Sequence, residues 1–231
     1  MSAMQQFFIT ATGTNQGKTL LTSALCYQWQ QQHKTVAALK PVISGYTEGE
    51  DSDTSQILKS LGYENPQPEE INTISPWRFR LPLSPDEAAR QENRTLSLKE
   101  ITDFCLQPRH MDLCLIEGAG GVMSPLSATA TNLDLIAAVN WPVILVSASY
   151  LGCISAILTA YETLRIRGIQ CQHLALVQVD KAAQASELTL RSLLPHLPEE
   201  MRILQLNHLE QKQELWKYVP QLREWVGSVY E

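Results

Sequence analysis

The sequence predicts an α/β fold: a parallel β-sheet flanked by helices on both faces, built as a single domain over residues 1–231. Two patterns predict it. Short runs rich in Val, Ile and Leu alternate with longer segments of helical pattern. Those runs are nearly continuous in apolar residues, as strands buried on both faces require. A third observation sets the type. The first run leads into "TATGTNQGKT" (10–19), a polar turn that ends in Gly17-Lys18-Thr19 and opens a helix. Backbone N–H groups and the positive end of a helix dipole would there face an anion, so the fold is of the P-loop nucleotide-binding type.

The elements follow in order. "FFIT" (7–10) reads as a strand and residues 18–32 as a helix, with Leu21, Leu25, Gln28 and Gln32 along one side. "TVAALKPV" (35–42) is a second strand, interrupted by Pro41. "DLCLIEG" (112–118) is a third, ended by glycines, and "PVILVSA" (142–148) a fourth, with Pro142 at its start, where a missing N–H is harmless. "HLALVQV" (173–179) and "MRILQL" (201–206) are the fifth and sixth. Helical segments fall at 53–61, 97–107, 132–139, 153–167 and 186–194. Strand–helix alternation of this kind implies right-handed crossovers. Residues 62–85 carry Pro66, Pro68, Pro76, Pro82 and Pro85 and read as a functional surface loop between strands of one sheet.

Composition narrows the function. With 44% hydrophobic and 18% charged residues, the chain is globular and not disordered. The net charge of −6 and the lack of a basic stripe argue against nucleic acid as a partner. The five cysteines, Cys26, Cys105, Cys114, Cys153 and Cys171, are widely spaced and form no zinc pattern. Buried thiols in a reducing compartment account for them. The first residues show no secretory signal, and no apolar stretch is long enough to span a bilayer, so a cytoplasmic protein without membrane contact is expected.

Four segments can carry chemistry. In the loop, Lys18 supplies a point charge and Thr19 a hydroxyl able to ligate Mg²⁺. Lys40, in "LKPVISG" (39–45), ends the second strand, at the edge that lines the ligand crevice of an open α/β sheet. A lysine in an apolar strand either has a partner or snorkels outward. Glu117, in "LCLIEGAGG" (113–121), ends the third strand where a strand-borne metal carboxylate would sit. Gly118, Gly120 and Gly121 after it allow close backbone approach. The acidic stretch at 48–53 offers Asp51 or Asp53 as a further carboxylate, and composition does not choose between them. "LGCIS" (151–155) begins a helix after the fourth strand and can also receive an anion.

Taken in order over about residues 6–180, these segments resemble the dethiobiotin synthetase family. The motifs are "ATGTNQGKT", "KPVISG", "SDT", "PLSP" and "EGAGG", with "PVILV" followed by "LGCIS". The resemblance implies an ATP-dependent ligase of biotin biosynthesis. It would close a cyclic urea from 7,8-diaminononanoate and CO₂ through a carbamate and a carbamic–phosphoric anhydride. It implies ATP as co-substrate and Mg²⁺ as cofactor. Asn15, Gln16, Gly17, Lys18 and Thr19, with Gly118, Ala119 and Gly120, would bind the nucleotide. Lys18 and Lys40 would be catalytic, with Lys40 nearest the carbamate. Thr19, Asp53 and Glu117 would hold the metal, so the resemblance selects Asp53. Thr14, Ser44, Gly121 and Ser155 would contact substrate. It also implies a homodimer with the active site at the interface, where "LGCIS" of one copy receives the substrate carboxylate of the other.

The chain departs from the family pattern at Ala11 (usually glycine), Gly13 (usually aspartate), Asn15 (usually acidic) and Ser155 (often asparagine). Val179-Asp180 replaces an Asn-Asp pair associated with adenine, and "LQLNH" (204–208) replaces a Gly-x-x-Pro turn. The alternative is a nucleotide-binding regulatory or partition-type ATPase domain without ligase activity. Partition ATPases carry a second lysine where this chain has Gly13.

Overall fold

The computed structural model describes residues 4–49, 51–178, 186–210 and 213–227. The chain runs β1 (Gln5–Ala11), α1 (Lys18–Gln31), β2 (Val36–Leu39), β3 (Val42–Ser44), α2 (Asp53–Ser60), α3 (Pro68–Ile74) and β4 (Trp77–Phe79). It continues through α4 (Pro85–Gln91), α5 (Leu98–Cys105), β5 (Leu113–Glu117), α6 (Asn132–Val139), β6 (Val143–Ala148) and α7 (Cys153–Ile166). The last elements are β7 (Cys171–Val177), α8 (Ser186–Leu193), β8 (Arg202–Leu206) and the short α9 (Arg223–Val226).

Six strands form one sheet in the order β2-β5-β1-β6-β7-β8. Every pairing in it is parallel. The predicted fold class is therefore observed. β1 lies at the centre, where the chain has strands β5 and β2 on one side and β6, β7 and β8 on the other. The crevice beyond the carboxyl ends of strands at such a reversal is where open α/β sheets bind ligands.

Alternate side chains of β1 supply two cores. Phe7, Ile9 and Ala11 join Leu21 and Leu25 of α1, Ile57 and Leu58 of α2, and Trp216, Leu222 and Val226 from the C-terminal stretch. Phe8 points the other way and joins Ile101 of α5, Ile136 and Val139 of α6, and Ile157 and Leu164 of α7. Both faces are covered, which is why the strands read as continuous apolar runs. Phe8 is fully buried, so Phe8→Ala would cost about 3–5 kcal/mol. All five cysteines are buried and free, as expected. Among the described residues no helix is long and apolar enough to cross a membrane.

Two expectations are corrected. The second strand does not run through 35–42. It ends at Leu39, and Val42–Ser44 pairs in parallel with Trp77–Phe79 to make a separate two-stranded sheet. The reason lies in the break: Pro41 has no N–H to give a ladder, and the Lys40 N–H donates to Ile74 O instead, at 3.1 Å. Nor are residues 62–85 only a surface loop between strands of one sheet, since they contain α3 and β4, and β4 belongs to the second sheet. Pro68 and Pro85 occupy the first turns of α3 and α4, where a fixed φ and a missing donor are tolerated.

Candidate active site

The turn between β1 and α1 is tied down by side chains. Thr12 N–H donates to Val146 O at 3.0 Å. Its hydroxyl lies 3.0 Å from Ser147 Oγ and 3.1 Å from Gln16 Oε1. Gln16 also accepts the Ala148 N–H at 2.8 Å and donates through Nε2 to Thr14 O at 3.0 Å. Gln16 thus links the loop to the end of β6. Gly17 caps α1 with φ 96°, a conformation that disfavours a side chain. A Cβ there would also sit 3.1 Å from the Val177 side chain. Asn15 adopts φ 57°, which asparagine tolerates better than most residues.

The turn after β5 packs closely against the loop. A Cβ on Gly121 would lie 3.1 Å from Ala11 O and from both N and Cα of Gly13. Val122 N–H donates to Ala11 O at 2.9 Å. The turn after β5 therefore supports the phosphate loop from behind, and the glycine that close approach requires stands at 121.

A charged cluster lies at the sheet's carboxyl edge. Lys40, 3% exposed, places Nζ 2.7 Å from Oε1 of Glu117, which is 0% exposed. The same Nζ is 3.1 Å from Asp53 Oδ2 and 3.1 Å from Gly118 O. Thr19 Oγ1 donates to Glu117 Oε1 at 2.9 Å and also reaches Asp53. Burial opposes the Lys40 charge, but Glu117 and Asp53 outweigh it and hold its pKa above the ordinary lysine range. Burial likewise opposes the Asp53 charge, and Lys40 with the Thr19 hydroxyl holds its pKa below the usual carboxylate range. Lys18 behaves oppositely. Burial and the neighbouring Lys40 charge lower its pKa to about 8. Its Nζ donates to Gly13 O at 3.2 Å.

These groups open on a cleft of about 1230 Å³. Thr14, Asn15, Gln16, Gly17, Lys18 and Thr19 line it from the loop, and Lys40, Ser44 and Asp53 from the side. Ala119 and Gly120 form part of another wall. Of the remaining residues singled out in the sequence, Glu117 sits behind Lys40 and Thr19, bonded to both. Gly118 and Gly121 are buried behind the lining. Ser155 is exposed on the first turn of α7, away from the lining of this cleft. Asp51 lines the cleft but turns its carboxylate to Ser55, Gln56 and Lys59. It is Asp53 that meets Lys40.

Sequence reasoning missed three contributors. Thr22 Oγ1 donates to Glu117 Oε2 at 2.6 Å. Its position one turn beyond Thr19, on the same helix, was an available signal. Asn132, fully buried at the start of α6, donates from Nδ2 to Ala119 O and to Gly121 O, and so fixes the turn after β5. Ser124 Oγ accepts the Gly121 N–H at 2.8 Å. Neither carries a local pattern that announces it. Asn207 and His208, from the stretch that departs from the family pattern, line the cleft together with Leu209 and Gln178. Val179-Asp180 lies outside the described residues.

Oxygen donors alone, the Thr19 hydroxyl and the carboxylates of Asp53 and Glu117, converge on Lys40 Nζ or on one another. Hard oxygen ligands of this kind suit Mg²⁺.

A family profile described as an AAA domain matches residues 5–212. The ATP-dependent dethiobiotin synthetase BioD of Caulobacter vibrioides is 42% identical over 190 residues, covering 80% of this chain and 84% of that protein. The ATP-dependent dethiobiotin synthetase BioD of Acidiphilium cryptum is 39% identical over 199 residues, covering 84% of this chain and 89% of that protein. Among solved structures, the signal recognition particle receptor FtsY from Elizabethkingia anophelis, in complex with GDP, superposes with a TM-score of 0.50 at 11% identity. That match covers 98% of this chain and 63% of the receptor chain, and it speaks to the fold alone.

Proposed function

The chain belongs to the dethiobiotin synthetase family, the ATP-dependent ligases of biotin biosynthesis, and from that premise we propose how its cleft closes a cyclic urea. The observation that carries the reading is the convergence of Lys18, Lys40, Thr19, Asp53 and Glu117 beside one cleft. They come from three strand–loop segments and one helix start far apart in the sequence.

The substrates are 7,8-diaminononanoate, CO₂ and ATP. One amine adds to CO₂, forming an N–C bond and releasing a proton, to give a carbamate. A carbamate oxygen then attacks the γ-phosphorus. An O–P bond forms, the bond to the β-phosphate oxygen breaks, and ADP leaves. The second amine attacks the carbonyl carbon of the mixed anhydride, expels phosphate, loses a proton and closes the ring.

Negative charge gathers on the transferred phosphoryl group and the carbamate, so fixed cations nearby lower the barrier. Lys18 sits in the loop that cradles the phosphates, with the backbone of Asn15, Gln16 and Gly17. Lys40 lines the same cleft as that loop and Ser44, and its charge would neutralise the carbamate oxygens. The Thr14 and Ser44 hydroxyls orient the carbamate and diamine, and Ala119 and Gly120 close the wall beside them. Thr19, Asp53 and Glu117 would hold Mg²⁺, which when bound supplies further charge neutralisation to the phosphates.

The enzyme works as a homodimer in this reading. Ser155 stands apart from its own cleft, which fits a role at the substrate carboxylate in a second copy. The buried free thiols fit a reducing cytosol.

The test is phosphate release from ATP by the purified protein. Turnover should require diaminononanoate, bicarbonate and Mg²⁺ together. Nucleotide binding with no phosphate released when all are present would instead favour a regulatory ATPase-like domain.

A further inference from the structure

Among the described residues, Glu117 is the only carboxylate that is buried. Its two oxygens have different surroundings. Oε1 receives Lys40 Nζ at 2.7 Å and Thr19 Oγ1 at 2.9 Å. Oε2 receives Thr22 Oγ1 at 2.6 Å. Thr22 is itself fully buried, on the face of α1 that also carries Lys18 and Thr19.

A threonine inside a helix ordinarily bonds back to the carbonyl four residues earlier. Thr22 has that option, since Lys18 O lies 3.0 Å from its hydroxyl. A hydroxyl has one proton to give. The charged carboxylate oxygen is the stronger acceptor and, at 2.6 Å, the closer one. The proton therefore goes to Glu117.

We infer that Thr22 is a positioning residue for the ligase reaction. Its hydroxyl ties Glu117 Oε2 into the body of the protein, so that Oε1 is the oxygen turned to Thr19 and Lys40. The inference deepens, and rests on, the reading of Glu117 as part of the magnesium–nucleotide site. Without the hydroxyl, Oε2 is a buried charged oxygen with no donor. The carboxylate then rotates to share Lys40 and Thr19 between its two oxygens, and the donor set loses its alignment.

Three single variants and one double variant test this. Thr22→Val keeps the shape and removes the donor. Thr22→Ser keeps the donor. Glu117→Gln tests the underlying site. ATP binding is measured by calorimetry with Mg²⁺ and with EDTA, alongside turnover. Thr22→Val should lower turnover about tenfold and weaken ATP binding in Mg²⁺, with binding in EDTA unchanged. Thr22→Ser should stay within about twofold of wild type. The double variant Thr22→Val/Glu117→Gln should be no worse than Glu117→Gln alone. A Thr22→Val protein that matches wild type, a Thr22→Ser protein as impaired as Thr22→Val, or an additive double variant overturns the inference. If Thr22→Val does not fold, Thr22→Ala carries the same comparison with Thr22→Ser. Glu117→Gln with unaltered magnesium dependence removes the underlying reading. Glu117→Gln impaired while Thr22→Val is unaffected removes only the role of Thr22.

Discussion

Lys40 and Glu117 form a buried ion pair, Nζ to Oε1 at 2.7 Å, at the carboxyl edge of adjacent strands. Removing one partner of such a pair leaves an uncompensated charge that water cannot reach. Lys40→Met should therefore abolish turnover and also destabilise the fold by about 3–5 kcal/mol. Adding Glu117→Gln should restore most of that stability and none of the activity. Urea denaturation and phosphate release measure the two separately. A Lys40→Met protein with an unchanged denaturation midpoint would show that the pair is not buried as described.

Lys18 predicts a pH dependence. Its pKa in the folded protein is lowered to about 8 from the ordinary 10.5. Below pH 8 the folded and unfolded chains both carry the proton, and the folded state bears the full penalty of burying it. Between 8 and 10.5 the unfolded chain still holds the proton and the folded chain has lost it, so this group's contribution to stability rises with pH across that window. Nucleotide phosphates favour the charged lysine, so ATP binding should take up a proton and weaken as pH rises past 8. Calorimetry at pH 8.5 in buffers of different ionisation heat reads the proton directly. Identical heats in all buffers would refute the shift.

Gln16 holds the phosphate loop through its side chain, which contacts the Ala148 N–H, Thr14 O and the Thr12 hydroxyl. Gln16→Leu removes these links at similar volume. The expected loss is about 1–3 kcal/mol of stability. The KM for ATP should rise more than kcat falls, because the loop forms but is no longer held in its binding shape. A pure kcat effect would point instead to contact with the reacting atoms.

Glycines 13 and 121 separate loop chemistry from loop support. Gly121→Ala would press a Cβ to 3.1 Å from the backbone of Ala11 and Gly13. It should cost about 1–3 kcal/mol and lower ATP affinity by shifting the loop. The nearest atom to a Cβ on Gly13 lies at 3.9 Å, ordinary contact, so Gly13→Ala should fold like wild type. Melting curves of the two variants decide the point, and equal losses would contradict the packing described.

The shared-site reading of Ser155 is tested by complementation. Lys40→Met chains, inactive alone, and Ser155→Glu chains, weakly active alone, are mixed under subunit exchange. If each cleft takes Lys40 from one copy and Ser155 from the other, mixed dimers contain one intact site and activity returns. No regain in a sample shown to be dimeric by light scattering would place Ser155 outside the active site.

Much of this was legible in the chain itself. The buried strands announce themselves because a strand covered on both faces must be apolar throughout, as Phe7, Phe8 and Ile9 are. The loop announces itself because strand, turn, Gly17-Lys18-Thr19 and helix are contiguous. Lys40 and Glu117 were visible as charged residues at the ends of apolar strands. The prolines misled: Pro68 and Pro85 read as loop residues but start helices. Pro41 interrupts a run that then supplies two different sheets. Asp51 and Asp53 could not be told apart by composition, because what separates them is the distance to Lys40.

By itself, then, the sequence determined the six strands of the main sheet and most of the helices between them, because periodicity, capping and backbone chemistry act over a few residues; α3, β4, α4 and the split of β2 from β3 were not legible in it. The tertiary structure alone decided that β5 lies between β2 and β1. That order sets Glu117 beside Lys40, 77 residues away in the chain, and against Thr19 and Thr22. It alone placed Gly121 beneath the phosphate loop and Asn132 on the turn that carries it. Such contacts follow from strand order and close packing, and no local stretch of sequence contains them.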